Sequence, residues 1–418
     1  MTYDVIVVGA RVAGAATARL LAEAGLRVLV ADRAGPPGDT LSTPQVQLPG
    51  VAALHRWGLL GRAVAGAPAT RRLRFDAGPV VLEGRYPPAG GVSALYSPRR
   101  TVLDQVLLEA AGEAGAEVRL GFRAEELLWE GRRVAGLRGR ERRGRAVAET
   151  ARLVVGADGK HSFVAGAAGA ARYCARPAAT MASYSYWAGV PTAAGGGEIY
   201  RRPGRAVAAF PTGDDLTMIY VASPAAEFAA ARGDLAGHYL AGLEGCGDLR
   251  ERAAAGSRAE RLRTTPDLPA RIHVPHGPGW ALAGDAGLVL DPVSAHGISN
   301  ALRDAELLAR AIVDGLGGSD DLDGALAGYH RQRDAAARPM FELTARTARL
   351  APVSRGERLL YGALAGRPAE ISRFFGALSG TEPLGPYLGL GNLTRLIAGG
   401  RPWPLGPRRR PASAGTLT

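Results

Sequence analysis

Apolar residues at the start of the chain follow a pattern that predicts a buried parallel strand. The run Tyr3–Val8 is almost continuously apolar, as expected of a strand that is covered on both faces. A glycine-rich turn, Gly9–Gly14, and a helical stretch follow it. A second apolar run, Leu26–Ala31, ends at Asp32. The first 32 residues therefore predict a strand–helix–strand unit of the Rossmann type.

The pattern changes along the rest of the chain in a way that predicts more than one domain. Strand-like alternation over Met181–Val190 and Thr217–Val221 predicts a mainly antiparallel sheet, and continuous apolar runs return at Leu153–Val155 and Trp280–Ala283. The fold class is therefore α/β: a Rossmann-like nucleotide-binding domain, an inserted antiparallel sheet and a C-terminal helical cap. We assign 1–75, 97–171 and 272–345 to the nucleotide-binding domain, 76–96 and 172–271 to a substrate domain, 346–400 to the cap, and 401–418 to a tail expected to be disordered.

Length and composition narrow the class of protein. At about 150 residues per domain, 418 residues correspond to two or three domains. Cys174 and Cys246 are too few for a disulfide framework or a four-ligand zinc site, and no metal site is expected. No apolar run reaches about 18 residues and the N-terminus lacks a basic leader, so we expect a cytoplasmic protein without stable membrane insertion.

The net charge of +12 raises the question of nucleic-acid binding. Lys160 is the single lysine, and the arginines are scattered along the chain, often beside acidic residues. The densest cluster, Arg408–Arg410, lies in the proline-rich tail. We therefore expect a small-molecule substrate and no nucleic-acid partner.

The glycine-rich turn and Asp32 have the arrangement of a dinucleotide site. A helix N-terminus receives a pyrophosphate, and Asp32, 18 residues after Gly14, is placed to accept from an adenosine ribose. Arg11 stands where a second glycine is usual, so its side chain must point away or reach the phosphates itself. An ordinary glycine-rich turn that binds nothing is the alternative.

Two further motifs complete a constellation that is similar to a known family. Gly156–Gly159 resembles an Asp-Gly motif, and Gly284–Asp285 with Pro292 and Gly297–Ile298 resembles a Gly-Asp motif. With the first turn, these motifs resemble the group A flavoprotein monooxygenases, the para-hydroxybenzoate hydroxylase family, over about residues 1–345. Ala165 departs from this family, where arginine is frequent, as does the pair Ala295-His296, where Gly-Gln is more usual.

The resemblance implies an FAD-binding domain and a set of residues that hold the cofactor. Arg100 matches a family arginine near the flavin, and Ala124 falls where a strand backbone meets the adenine. The full set of implied cofactor residues is Gly9, Arg11, Ala13, Gly14, Asp32, Arg33, Arg100, Ala124, Asp158, Asp285, Pro292, Gly297 and Ile298. No catalytic side chain is assigned.

The resemblance also implies a reaction: NADH or NADPH reduces FAD, and O2 then supplies one oxygen atom to an electron-rich substrate by hydroxylation or epoxidation. An aromatic or polyketide natural product is our hypothesis for that substrate. Tyr184 and Tyr186 share one face of a predicted strand and, with His296, are candidates for the substrate pocket. The alternative is that Trp187, on the other face, lines the pocket.

Three other functions remain open from the sequence. A reductase of the geranylgeranyl type would use FAD without O2. A halogenase relays halide oxidation through a pocket lysine, whereas Lys160 lies in the Asp-Gly turn and the Gly-Trp-x-Trp-x-Ile-Pro run is absent. A flavin-binding protein without turnover would bind FAD but oxidise no NAD(P)H.

Overall fold

The computed structural model of the chain describes residues 2–38, 42–318 and 321–399, and the tail 401–418 lies outside these ranges. Its strands are β1 (Thr2–Val8), β2 (Val28–Asp32), β3 (Arg72–Asp76), β4 (Val81–Arg85), β5 (Glu117–Leu120), β6 (Arg123–Glu130), β7 (Arg133–Arg140), β8 (Ala146–Gly156), β9 (Arg172–Arg176), β10 (Thr180–Ala188), β11 (Gly197–Arg202), β12 (Arg205–Pro211), β13 (Leu216–Pro224), β14 (Ser257–Arg258), β15 (Arg263–Thr265), β16 (Ala270–His273), β17 (His276–Gly277), β18 (Trp280–Leu282) and β19 (Leu288–Val289). Its helices are α1 (Val12–Glu23), α2 (Leu48–Arg56), α3 (Leu60–Ala63), α4 (Arg100–Glu113), α5 (Phe163–Ala167), α6 (Phe228–Ala231), α7 (Leu235–Ala241), α8 (Leu249–Ala255), α9 (Gly297–Leu316), α10 (Leu322–Thr347), α11 (Arg355–Leu364), α12 (Pro368–Ser379), α13 (Leu384–Tyr387) and α14 (Leu390–Ala398).

The first sheet is the Rossmann-like layer predicted from the sequence. Its order is β17-β18-β8-β1-β2-β5, and β1 pairs in parallel with β2 on one side and β8 on the other. Val5, Ile6 and Val7 are fully buried. Helices α1, α4 and α9 cover one face of the layer, and the β6–β7 ribbon, which pairs with β8, packs against Ile6 on the other face. The carboxyl ends of β1, β2, β8 and β18 consequently meet at one edge, where such sheets bind ligands.

Strand β8 is longer than the apolar run at Leu153–Val155 that marked it in the sequence, since it begins at Ala146. Its first half alternates between exposed and partly buried residues and pairs with β7, whereas its second half is continuously buried between β1 and β18. Alternation and continuous burial are both strand patterns, and they describe the edge and the centre of one sheet.

The second sheet has the order β14-β10-β13-β12-β11-β3-β4, and its pairs are antiparallel except for β11 with β3. Strand β3 lies in this sheet, whereas our division placed residues up to 75 with the nucleotide-binding domain. One face of the sheet carries Trp187 and packs against α7 and α8. The other face carries Tyr184 and Tyr220 and belongs to the large core that continues into the C-terminal helices.

The C-terminal helices α11–α14 form the helical cap over that second face. Phe374 of α12 makes edge contacts with Phe75 of β3, at 5.6 Å between ring centroids, and Tyr361 of α11 contacts the same ring at 5.4 Å. A third, three-stranded sheet among the described residues, β19-β16-β9, supports α10. The cap is therefore fastened to the second sheet by aromatic packing.

Gly14 offers a test of the packing at the first turn. A Cβ at this position would lie 1.8 Å from the carbonyl oxygen of Gly9, so Gly14→Ala must displace backbone. We expect a loss of about 3 kcal/mol in the free energy of unfolding, measured by urea denaturation. Gly112→Ala, on α4 with open space around it, is the control and is expected to be neutral or to stabilise by up to about 1 kcal/mol. Equal effects of the two substitutions would contradict this account.

Candidate functional site

The glycine-rich turn brings the first group of predicted residues together where β1 and β2 end. Asp32 accepts hydrogen bonds from the backbone amides of Ala10 and Ala34, each at 2.7 Å, which fixes its carboxylate beside the start of α1. Gly9 has a φ of +107°, and a Cβ there would lie 2.4 Å from the carbonyl oxygen of Ala157. The turn is thus shaped by backbone contacts that only glycine permits.

The remaining residues of this group surround the same helix N-terminus. Arg11 is exposed at the N-cap of α1, and Arg33 is exposed directly after β2. Ala124 lies on β6, whose preceding residue Phe122 donates its backbone amide to the carbonyl oxygen of Asp32 at 2.8 Å. The structure therefore places the residues predicted for pyrophosphate, ribose and adenine along one edge.

Arg100 begins α4 and is held by a buried ion pair. Its guanidinium donates to both carboxylate oxygens of Asp104, at 2.8 and 2.9 Å, and Asp104 has no exposed surface. Burial raises the pKa of Asp104, and the Arg100 charge opposes that rise. Separating the two charges would leave each of them buried and unpaired, which is costly. The pair therefore holds the Arg100 side chain in place.

The second motif forms a capped turn. One Asp158 oxygen accepts from the Ser162 hydroxyl at 2.5 Å, and the other accepts from the backbone amide of Phe163 at 2.6 Å. Burial raises the pKa of Asp158. Both oxygens are used within the turn that begins α5, so contact of Asp158 with a cofactor stays a prediction.

The third motif lies opposite the first. Gly284 has a φ of +57°, and a Cβ there would lie 2.9 Å from the Cβ of Ala13, so the two motifs are in close contact. Asp285 is exposed to the open space between them. The surrounding walls raise the pKa of Asp285 to about 6 by desolvation, and the Arg100 guanidinium acts in the opposite direction.

Two cavities meet beside this motif. The smaller, of about 140 Å³, is lined by Asp285, Pro292, Gly297 and Ile298, together with Tyr184. The larger, of about 670 Å³, lies between the second sheet and the cap. The residues that line both cavities are Thr43, Gln45, Tyr220, Pro292 and Ala295. The two cavities are therefore neighbours with a shared wall.

The described residues fit a bound dinucleotide. The amides at the start of α1 and the Asp32 carboxylate lie at one end of the edge, and the open space beside Asp285 lies at the other. Glycine at positions 9, 14 and 284 lets the segments of the three motifs approach one another closely. The N-terminus of α9 begins at Gly297 beside the smaller cavity, where its dipole favours negative charge.

The three predicted pocket residues lie in different surroundings. Tyr184 lines the smaller cavity, whereas Tyr186 is buried beneath the Arg99 guanidinium, 4.2 Å from its ring centroid. His296 is buried behind the loop before α9 and donates from Nδ1 to the carbonyl oxygen of Ser294 at 2.7 Å. Burial lowers the pKa of His296 to about 4, so its ring is neutral at physiological pH. Neither Tyr186 nor His296 is among the described residues lining the two cavities.

Trp187 lies on the opposite face of the second sheet. Its Nε1 donates to the hydroxyl of Tyr239 at 2.9 Å, and the two rings are stacked. Both side chains belong to the core formed with α7 and α8. The cavities are thus on the tyrosine side of β10.

Sequence reasoning missed two parts of the cavity walls, Tyr220 and the side chains that the cap contributes. Tyr220 lies directly opposite Tyr184 in the β10–β13 register, so strand alternation could have found it once the pairing was known. Its hydroxyl is buried and has no hydrogen-bond partner among the described residues. The cap residues carry no motif, and only the tertiary structure brings them to the cavity.

Comparisons with known proteins agree with this geometry. The model of a family described as FAD binding domain matches residues 2–233. The digeranylgeranylglycerophospholipid reductase of Methanocella arvoryzae is 28% identical over 335 residues, which cover 78% of this chain and 81% of the reductase.

Two solved structures are similar in fold. The flavin-dependent brominase Bmp2 has a TM-score of 0.78 at 18% identity, covering 91% of this chain and 94% of that chain. PqsL of Pseudomonas aeruginosa, described as a probable FAD-dependent monooxygenase, has a TM-score of 0.68 at 23% identity, covering 90% of this chain and 99% of that chain. At these identities the likeness concerns the fold alone.

Arg11 tests the dinucleotide end of the site. We expect Arg11→Ala to weaken FAD binding about tenfold at low salt, because its guanidinium lies at the helix N-terminus that a pyrophosphate would approach. The loss should shrink at high salt, since screening weakens exposed charge pairs. Titration of apoprotein with FAD at two salt concentrations measures this. Arg132→Ala, at an exposed arginine in the turn between β6 and β7, should have no effect, and an equal loss there would contradict the assignment.

Asp285 tests the other end through its pH dependence. Its pKa in the folded chain, about 6, is above its ordinary value of 3.8, so folding favours the protonated form. This contribution to stability is fully present below about pH 4 and is lost as the pH rises through 6. Asp285→Asn apoprotein should therefore gain thermal stability relative to the parent as the pH rises from 4 to 7. A difference between Asp285→Asn and the parent that does not change with pH would refute the argument.

Proposed function

Because the chain belongs to the FAD-binding-domain family of the group A flavoprotein monooxygenases, we propose that it is an FAD-dependent monooxygenase that uses NADH or NADPH and O2. It would hydroxylate or epoxidise an electron-rich, mainly apolar small molecule. The observation that carries this proposal is the apolar cavity of about 670 Å³ that shares a wall with the smaller cavity beside Asp285.

The larger cavity indicates the class of substrate. Its volume is in the range of small-molecule sites, and aromatic and aliphatic side chains dominate its walls. Phe75, Phe210 and Met218 come from the second sheet, and Phe374 comes from the cap. Such walls suit an aromatic or polyketide-like molecule and keep water away from the reacting atoms.

In this proposal the chain's own residues bind the cofactor, orient the substrate and enclose both. Bound FAD supplies the redox chemistry. Residues of the first turn and Asp285 would hold the cofactor, and the substrate would meet it at the shared wall of the two cavities. Burial and the nearby Asp291 carboxylate raise the pKa of Tyr220 well above its ordinary value, so its hydroxyl stays protonated and can donate. We assign to that hydroxyl the orientation of a substrate oxygen.

A reductase of the geranylgeranyl type is the second candidate. The similarity to the Methanocella arvoryzae reductase spans 78% of this chain, and a long apolar molecule would also fit the larger cavity. Halogenation is not proposed, although Bmp2 shares the fold. Lys160 lines the smaller cavity but is paired with the Asp267 carboxylate at 3.0 Å.

The mass of the product separates these reactions. Purified enzyme with FAD, NADH or NADPH, air and a panel of apolar aromatic and polyprenyl compounds should give a product that has gained one oxygen atom, with oxygen from labelled O2. A gain of two hydrogen atoms, also formed without air, would favour the reductase. Reversible FAD binding without NAD(P)H oxidation would indicate a flavin-binding protein without turnover.

Tyr220→Phe tests the substrate end of the site. This substitution keeps the ring and removes a buried hydroxyl without a partner, so stability should stay equal or rise by up to about 1 kcal/mol. FAD content should not change, whereas more of the NAD(P)H consumed should end as hydrogen peroxide instead of product.

Tyr239→Phe, on the opposite face of the same sheet, is the matched control. Its hydroxyl donates to the carbonyl oxygen of Ile219 and accepts from Trp187, so the variant should lose about 1 kcal/mol of stability. Its ratio of product to NAD(P)H should stay that of the parent. Unchanged coupling in Tyr220→Phe would remove the orienting role.

A further inference from the structure

The larger cavity opens to the surface through the helical cap. Leu359 of α11 and Ile397 of α14 line the cavity and are nevertheless 55% and 44% exposed. Ala351 and Pro352, which connect α10 to the cap, are exposed cavity residues at the same opening. We call this opening, with α11 and α14 beside it, the cap mouth.

The cap mouth carries exposed apolar side chains on one helix face. Leu390 and Ile397 are exposed on α14, and the half-buried Leu393 between them lies on the same side of the helix, at a spacing of three and then four residues. Leu390 is 85% exposed, the largest value among the exposed large apolar residues that the structure describes. Leu359 lies on α11, which packs against α14, and it lines the same cavity as Leu393 and Ile397.

Exposed arginines without acidic partners lie at the cavity wall and on α11. Arg346 and Arg349 line the larger cavity, Arg355 and Arg358 are on α11, and none of the four forms an ion pair within the part of the chain that the structure describes. Arg355 and Arg358 share the face of α11 that carries Leu359. In contrast, Arg367, Arg373 and Arg395 are all paired with Glu370.

We propose that the cap mouth rests on an anionic lipid surface, from which an apolar substrate enters the cavity. Apolar side chains would sit at the boundary between headgroups and acyl chains, while the arginines contact lipid phosphates. No helix in the described residues is long and apolar enough to cross a bilayer, so the contact is peripheral. A symmetric contact between two copies is disfavoured, because it would bring the same unpaired arginines together.

Vesicle binding tests the proposal without any substrate. Holoenzyme is mixed with vesicles of phosphatidylcholine alone or with added phosphatidylglycerol, and the bound fraction is measured by flotation. We expect binding to the anionic vesicles that weakens at high salt, and little binding to the neutral ones. Because the assay contains no NAD(P)H and no substrate, its failure would overturn the docking proposal and leave the proposed reaction untouched.

A charge variant and its control locate the surface. The variant replaces with glutamine Arg346, Arg349, Arg355 and Arg358, and should lower vesicle affinity at least about tenfold. The control replaces with glutamine the exposed Arg132, Arg142, Arg143 and Arg232, which lie outside the cap. An equal loss of vesicle affinity in both variants would show that net charge alone causes the binding, and would overturn the proposal.

An apolar variant completes the test. Leu390→Ser with Ile397→Ser should also weaken vesicle binding about tenfold, whereas Trp129→Ser with Leu240→Ser, exposed residues elsewhere, should not. Bound FAD and the unfolding temperature check that each variant is folded. The parent could instead form a dimer that the Leu390 and Ile397 substitutions dissociate, and fail to bind vesicles. That result would assign the face to a second copy of the chain and overturn the proposal.

Discussion

Close contact between backbones at one edge of the first sheet is the constraint on which the site depends. Gly9 approaches the carbonyl of Ala157, Gly14 approaches Gly9, and Gly284 approaches Ala13. Three segments far apart in sequence therefore converge through contacts of backbone atoms and of the Cβ atoms of Ala13 and Ala157. These contacts bound the open space beside Asp285 and the start of α9. The shared wall of the two cavities adjoins that space.

The second sheet separates two tasks by its two faces. Trp187 and Tyr239 on one face pack against α7 and α8 and provide ordinary core stability. Tyr184 and Tyr220, paired across β10 and β13, face the cavities. Since strand side chains alternate, the register of a single antiparallel pair decides which aromatic rings become core and which become walls.

The sequence predicts the strands and turns of the first sheet because their signals are local. The turn at Gly9, the acidic residue Asp32 and the Gly-Asp motif each follow a strand directly, and strand ends meet at one edge in this fold class. Residues whose surroundings come from distant segments were not predictable in the same way. Tyr186 shares a strand face with Tyr184, yet Arg99 covers its ring, and His296 is neighbour to the cavity in sequence but packs behind the loop. The cap walls have no sequence signal, since helical periodicity does not say which surface a helix covers.

The origin of the cavity walls has a consequence for how such an enzyme can diversify. No described residue of the cap lines the smaller cavity, whereas the cap supplies a large part of the larger one. In the proposed function, the redox site and substrate recognition therefore lie largely on separate segments, and Tyr220, Pro292 and Ala295 are among the few residues common to both cavities. Grafting α11–α14 from a homologue is a route to a new substrate range that leaves the flavin environment intact, so the cap is a natural module for enzyme engineering.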